Sequence, residues 1–450
     1  MFSRMRRLLA RWRNAITLWL QAGCCSDRLP QAAPTPEELA ATRAALATHL
    51  DGQILPFWVS PAVNHERFGG FVPHLDRRLR FTGETERGAI VQLRLLYTHA
   101  IAIARAKDAS RQTELRGQYR RRLSFLVDHY RDDDTGGFFT LPDETSAAAR
   151  EDMETRVQIH ALYLLASVHR LIGCPQALDL ARCAVALLRE QARDERFGGY
   201  LSFFALPPDH PRNAVKPLQD HIHATLGLFR MHQVAPDDRQ RTEIDTLLDL
   251  LIEKYEIGDR SGLMYNGLAF DWQPLPPDGS NVARTFFGHS AEAIWYATKI
   301  VRSLNIVRDD FTAWVTRVAD ALLEHGISRH GAAYSAGDYR GRPAALDSFW
   351  WAQAEMMVTF LRTYELTGTV RYYRTFEAIR DWTFRHLVPD TEGPWLPYRS
   401  AWGFRRARTR SGRHWQAGYH VARALLECEA ALDRLARGDT SEGGEAAAFM

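Results

Sequence analysis

Four short stretches place side chains able to transfer protons or hold a polar ligand at helical spacing. In Gly288-His289-Ser290-Ala291-Glu292-Ala293-Ile294-Trp295, His289 and Glu292 stand at i and i+3, on one helical face. A carboxylate beside an imidazole fixes its tautomer and raises its basicity, which suits a general base; a core histidine satisfied by a local carboxylate has the same spacing. In Trp350-Trp351-Ala352-Gln353-Ala354-Glu355, Trp351 and Glu355 lie one turn apart. An aromatic plate beside an acceptor can take the C–H face of a sugar and its hydroxyls, although tryptophan also fills cores. Trp415-Gln416-Ala417-Gly418-Tyr419-His420 supplies a second candidate histidine, and Lys216-Pro217-Leu218-Gln219-Asp220-His221-Ile222-His223 two more. His221 and His223 point to different faces of a helix, so a shared metal is not expected. Several histidines, few carboxylates and no phosphate-cradling glycine loop favour proton transfer over hydrolysis or phosphoryl transfer.

These residues are placed by a repeat. A small-residue turn ending in an aromatic recurs six times: Phe68-Gly69-Gly70-Phe71, Gly136-Gly137-Phe138, Gly198-Gly199-Tyr200, Gly262 with Tyr265, Gly331 with Tyr334, and Gly393-Pro394-Trp395. The first glycines are 67, 62, 64, 69 and 62 residues apart, so one unit tiles the whole chain. Between 24 and 27 residues past each glycine comes a polar residue: Arg94, His160, His223, His289, Glu355 and His420. Six equivalent positions predict one shared cavity.

Each unit carries two helical patterns. Residues 36–55, 110–130, 174–193, 237–256, 308–325 and 369–387 bear one apolar stripe and a charged face, as outer helices do. Residues 84–106, 148–172, 213–233, 279–303, 346–366 and 412–437 are apolar round most of their circumference, as only a covered helix can be. The fold class is therefore all-α, an (α/α)6 toroid of six helical hairpins. Little sheet is expected beyond the aromatic turns. Residues 34–437 form the toroid, 1–33 a basic N-terminal extension and 438–450 a disordered tail.

Composition bounds the rest. The 450 residues are 46% hydrophobic, enough for a large core, and the net charge of +3 does not suit a nucleic-acid binder. Five cysteines (Cys24, Cys25, Cys174, Cys183, Cys428) have neither zinc spacing nor a disulfide framework, and a reducing cytoplasm is the simplest setting. Arg4, Arg6, Arg7, Arg11 and Arg13 precede an apolar stretch from Ala15 to Ala22, but that stretch is short and broken by Gln21, so a basic surface extension is favoured over export or membrane contact. The run Arg405, Arg406, Arg408, Arg410 and Arg413 is a solvated loop, or a rim that narrows a pocket mouth or attracts an anion.

From Leu55 to Leu432 the chain resembles the N-acylglucosamine 2-epimerases, and among them the cellobiose 2-epimerases and related mannose epimerases and isomerases. The resemblance rests on Phe57-Trp58, Gly69-Gly70-Phe71, Gln92-Leu93-Arg94, Lys216 with Gln219, His221 and His223, Gly288-His289 with Glu292 and Trp295, Trp350-Trp351 with Gln353 and Glu355, and Trp415 with Tyr419-His420 and Arg423. It implies cofactor-free and metal-free proton transfer on an opened reducing sugar, through a cis-enediolate. His289 and His420 would exchange the C2 proton, with Glu292 supporting His289. Arg94 and His223 would sit at the C1 and C2 oxygens, where charge develops. Trp351 and Glu355 would hold the sugar, in a binding set completed by Trp415, Trp295, His160, His221 and Tyr97. The protein would be a monomer or homodimer.

The chain departs from that pattern. Ala224-Thr225 follows His223 where the family generally has leucine and glutamate, Ser348 replaces a basic residue, and the arginine run is unusually basic. These departures bear on the sugar more than on the reaction. Two competing readings are a glycoside hydrolase using Glu292 and Glu355 across a glycosidic bond, and a non-catalytic sugar-binding regulator.

Overall fold

The computed structural model describes residues 32–64, 70–72, 74–76, 79–83, 87–141, 151–258, 261–277, 283–344, 346–390, 393–403 and 417–439. Most of the expected N-terminal extension and tail lies outside the described residues.

Twelve helices make the ring. The outer set is α1 (Pro36–His49), α3 (Ala109–Tyr130), α5 (Pro175–Leu187), α7 (Asp238–Glu253), α9 (Phe311–Ala321) and α11 (Val370–His386). The inner set is α2 (Ala89–Arg105), α4 (Thr155–Ile172), α6 (Leu218–Val234), α8 (Phe287–Ser303), α10 (Trp350–Thr367) and α12 (Tyr419–Arg437). The difference between the sets is one of burial: every residue of α2 from Ala89 to Ile103 is buried, whereas α3 buries only Leu115, Tyr119, Arg122, Leu123, Leu126 and Tyr130. Each inner helix packs on the next, and α12 returns to α2. Five hairpins are formed by helices consecutive in sequence; the sixth pairs the first helix with the last, α1 against α12.

Local chemistry sets the boundaries. Thr35 and Glu38 form a capping box at the start of α1, with Pro36 in its first turn. Gly173, Gly368 and Gly438 end α4, α10 and α12 in the left-handed conformation. The inner helices α6, α8 and α10 begin later than their apolar pattern predicts, because the residues just before them are extended. Val215–Pro217 (β1) pairs antiparallel with Gly267–Ala269 (β2), Thr285–Phe286 (β3) with Ala336–Gly337 (β4), and Asp347–Phe349 (β5) with Tyr398–Ser400 (β6). Each ladder ties the entry of one inner helix to the segment after the next glycine turn.

The turns are built into the ring. Gly262 and Gly331 have φ of 74° and 88°, and a Cβ on them would lie 2.2 Å from the Arg317 carbonyl oxygen and 2.4 Å from that of Ala378. Glycine is thus required twice over, for its backbone conformation and for the approach of the following outer helix. From the other side, side chains in the first turns of the inner helices clip the turn. The Gln92 amide accepts from Phe71 N–H at 2.9 Å and donates to its carbonyl at 3.0 Å, and Gln158 with Phe138 and Gln353 with Ala333 do the same.

Candidate active site

The first turns of the inner helices open onto one cavity of about 230 Å3, lined by Ile90, Arg94, Arg156, His160, Gln219, His223, His289, Glu292, Trp350, Trp351 and His420. Five of the six repeat positions therefore meet there. The sixth, Glu355, lies directly beneath, its carboxyl oxygen 2.7 Å from His420 Nδ1. Trp351 lies against both candidate bases, its ring centroid 5.1 Å from that of His289 and 5.7 Å from that of His420.

The histidines differ in their partners. His160 directs Nδ1 to the Arg156 carbonyl at 2.8 Å, so its Nε2 accepts from Arg94 Nη2 at 3.2 Å. It orients Arg94 instead of reaching freely for a ligand. His223 is packed between His160 and Tyr296, and both its ring nitrogens are buried with no hydrogen-bond partner; Glu292 Oε1 stands 3.6 Å from its Nε2. An unpaired buried polar group is unfavourable unless a ligand completes it. His289 pairs through Nδ1 with Asn266 Oδ1 at 2.7 Å, so Glu292 is not its hydrogen-bond partner and acts on the ring through its charge alone. Asn266 sits in a loop after the Gly262 turn, where no helical periodicity points to it.

Below the cavity, Arg423 holds the floor together. Its Nη2 donates to Glu292 Oε1 at 2.9 Å and Glu355 Oε1 at 2.6 Å, and its Nη1 to the hydroxyls of Tyr163, Tyr296 and Tyr419. Glu292, Glu355 and His420 offer ligand atoms within 4.8 Å of one another, a spacing that suits a cation, but the guanidinium already occupies the carboxylates. The same geometry speaks against Glu292 and Glu355 as a hydrolytic pair: two carboxylates bridged by one guanidinium nitrogen leave no room for a glycosidic bond between them.

Burial dominates the titration of the site. It pushes the His289 imidazole down to about 4, Glu292 pulling the other way, and takes His420 well below the ordinary histidine value with Arg94 adding to the effect. Burial thus favours the neutral form of both rings. The two carboxylates on Arg423 divide. Burial pushes Glu355 up to about 8 against the pull of Arg423, while for Glu292 the burial penalty is outweighed by His223 and Arg423, which hold it well below the carboxylate range.

Four expected binding residues do not face the cavity. His221 Nε2 accepts from Tyr200 N–H at 3.2 Å and its Nδ1 meets the Pro217 carbonyl at 3.1 Å, so it clips the Gly198-Gly199-Tyr200 turn as the glutamines clip theirs. Trp295 is buried, donating Nε1–H to Glu355 Oε2 at 2.9 Å, and Tyr97 is packed against Tyr163 and Tyr419. Glu355 itself is fully buried, with its oxygens taken by His420, Arg423 and Trp295, so it serves His420 and is closed to a sugar hydroxyl. Trp415 and the run Arg405 to Arg413 lie outside the described residues.

Residues 69–424 match the N-acylglucosamine 2-epimerase (GlcNAc 2-epimerase) family, and the chain belongs to it. It is thereby a member of a family of sugar epimerases and isomerases. A cellobiose 2-epimerase of Bacteroides fragilis is 26% identical over 399 residues, spanning 84% of this chain and 96% of its own. The structure of cellobiose 2-epimerase from Spirochaeta thermophila superposes with a TM-score of 0.75 at 26% identity, covering 88% of this chain and 98% of that one. A D-mannose isomerase shares the fold, with a TM-score of 0.73 at 15% identity over 86% of this chain and 97% of its own. Among the described residues, no helix is long and apolar enough to cross a membrane.

Proposed function

We propose that the protein is a sugar 2-epimerase or aldose–ketose isomerase acting on reducing sugars of glucose or mannose configuration, by proton transfer between C2 and the histidine pair His289 and His420. The observation that carries this reading is the convergence of two imidazoles on one aromatic plate, with Arg94 and His223 in the same cavity.

The opened sugar lies on Trp351. One imidazole removes the C2 proton as its Nε2 lone pair takes H+, and the C–H electrons form the C1=C2 bond while charge passes to O1. Arg94 and His223 stabilise the oxygens of this enediolate, where fixed donors in a dry site are most effective. The second imidazole returns a proton to the other face of C2, restoring the C1 carbonyl and giving the epimer. Protonation at C1, with the O2 proton lost and O1 protonated, gives the ketose instead.

The acid is His420. Its Nδ1 meets Glu355, a carboxyl raised to about 8, so at neutral pH the pair carries one proton and its ionisation belongs to the pair. With that proton on Glu355, Nδ1 accepts it and Nε2–H is presented to the substrate. With Glu355 ionised, Nδ1–H donates and Nε2 is a base. His420 can thus serve in either direction of the reaction.

The test is to incubate purified protein with mannose, glucose, fructose, cellobiose and N-acetylglucosamine and follow products by NMR. A 2-epimer or a ketose is expected from at least one. Release of a shorter sugar from cellobiose, or binding with no conversion across the panel, would sink the reading.

A further inference from the structure

We propose that Asn266 is a positioning residue that fixes His289 in the tautomer carrying its proton on Nδ1, leaving Nε2 as a free base toward the cavity. The proposal rests on the proton-transfer reading for its consequence, and on geometry for its cause. Asn266 Oδ1 lies 2.7 Å from His289 Nδ1. A carbonyl oxygen only accepts, so the ring nitrogen facing it must donate.

The backbone of Asn266 is held on both sides. Its carbonyl accepts from Leu218 N–H at 3.0 Å, and its N–H donates to the Arg284 carbonyl at 2.9 Å. Leu218 begins α6, which carries His223, and Arg284 immediately precedes β3, which leads into the helix of His289. The amide is therefore registered against both helices, and the ring it holds is further bracketed by Phe286, at a centroid distance of 5.6 Å, and Trp351.

The choice of an amide has chemical consequences. The charged and titratable groups that bear on His289 are Glu292 on its own helix, His223 and Asp220 on α6, and Arg156 on α4. None of them is the hydrogen-bond partner of Nδ1. A neutral acceptor there orients the ring while stabilising the imidazolium less than a carboxylate would, so the burial that disfavours the charged ring still prevails. His420 has a carboxyl in the equivalent role. The two imidazoles are thereby unlike: His289 rests as a base, and the His420–Glu355 pair holds the transferable proton.

Two measurements test this. In full-length protein labelled with 15N-histidine, with the His289 resonances assigned by their loss in His289→Asn, Nδ1 should be protonated and Nε2 unprotonated at pH 7. Asn266→Asp keeps the acceptor and adds charge, so the His289 ionisation, followed by the same resonances, should move up by about one pH unit or more. The acid limb of kcat/KM should move up with it, with the melting temperature little changed. Asn266→Ala should yield a mixture of tautomers and lower kcat more than it raises KM. An Nε2-protonated ring in the parent protein, or a His289 ionisation unmoved in Asn266→Asp, would overturn the proposal. Because the tautomer is read without substrate, that failure is distinct from failure to epimerise any sugar.

Discussion

Two imidazoles do the chemistry proposed here, and neither has the ionisation of a histidine in water. Replacing His289 or His420 by Asn should lower kcat by about 10²-fold or more, as loss of a positioned acid or base does, with a smaller change in KM because Trp351 remains. Near-normal turnover in either variant would contradict the two-base scheme. The downward displacement of the His289 ionisation also has a sign in the pH profile. The base must be neutral, and a depressed ionisation keeps it neutral as pH falls, so the acid limb of kcat/KM should lie below pH 6 and not at the 6 to 7 of an unperturbed imidazole. A steady-state profile falling already at pH 7 would show that burial does not govern the ring. Much at this scale was legible in the sequence, because His289, His420, His223 and Arg94 each lie a near-constant number of residues past a glycine turn. What was not legible is who holds whom. Glu355 reads as a sugar ligand until α12 brings His420 and Arg423 onto it, 65 and 68 residues along the chain. Asn266 carries no periodic signal at all.

At the scale of elements, the site depends on inner helices that approach closely at their first turns. A Cβ on Gly288 would lie 2.3 Å from Trp351 Cζ3 and 2.5 Å from Cη2, so the missing side chain on α8 is what lets the indole of α10 lie between the two histidines. Alanine ordinarily favours a helix over glycine. Here Gly288→Ala should instead displace the plate and lower kcat/KM by about 10²-fold, the effect of an ångström-scale misplacement. In a Trp351→Phe background, where the far edge of the indole is gone, the same substitution should have a much smaller effect. Equal losses in both backgrounds, measured as a double-mutant cycle, would locate the damage elsewhere. The alternation of covered and half-covered helices was readable from their apolar patterns, since burial all round leaves no polar face. The late starts of the inner helices were not, because the three short ladders are set by pairing between neighbouring repeats, which an isolated segment does not reveal. Nor was the role of His221 legible: a histidine that replaces glutamine in clipping a turn looks, in sequence, like half of a paired site.

The ring as a whole closes α1 onto α12 and buries imidazoles throughout its wall. His49, His99, His221 and His289 are each pushed down to about 4, chiefly by burial. A depressed ionisation in the folded state means that protons bind the unfolded chain first, so stability is complete above about pH 6.5 and falls as pH drops toward 4. His99 and His221, the fully buried rings, can each contribute roughly 3 kcal/mol of that loss, because a tenfold change in proton affinity is worth about 1.36 kcal/mol. Urea denaturation should therefore show a midpoint that declines steadily from pH 6.5 to pH 4; a flat midpoint over that range would mean the rings are protonated in the fold. The central claim, that this ring moves a proton at C2, is tested most directly by turnover in deuterated water. Epimer formed there should carry solvent deuterium at C2, or ketose at C1, at an unchanged rate in the presence of chelator, and His289→Asn should abolish the incorporation. Product that forms while C1 and C2 retain only their original hydrogen, even after prolonged incubation, would contradict the account.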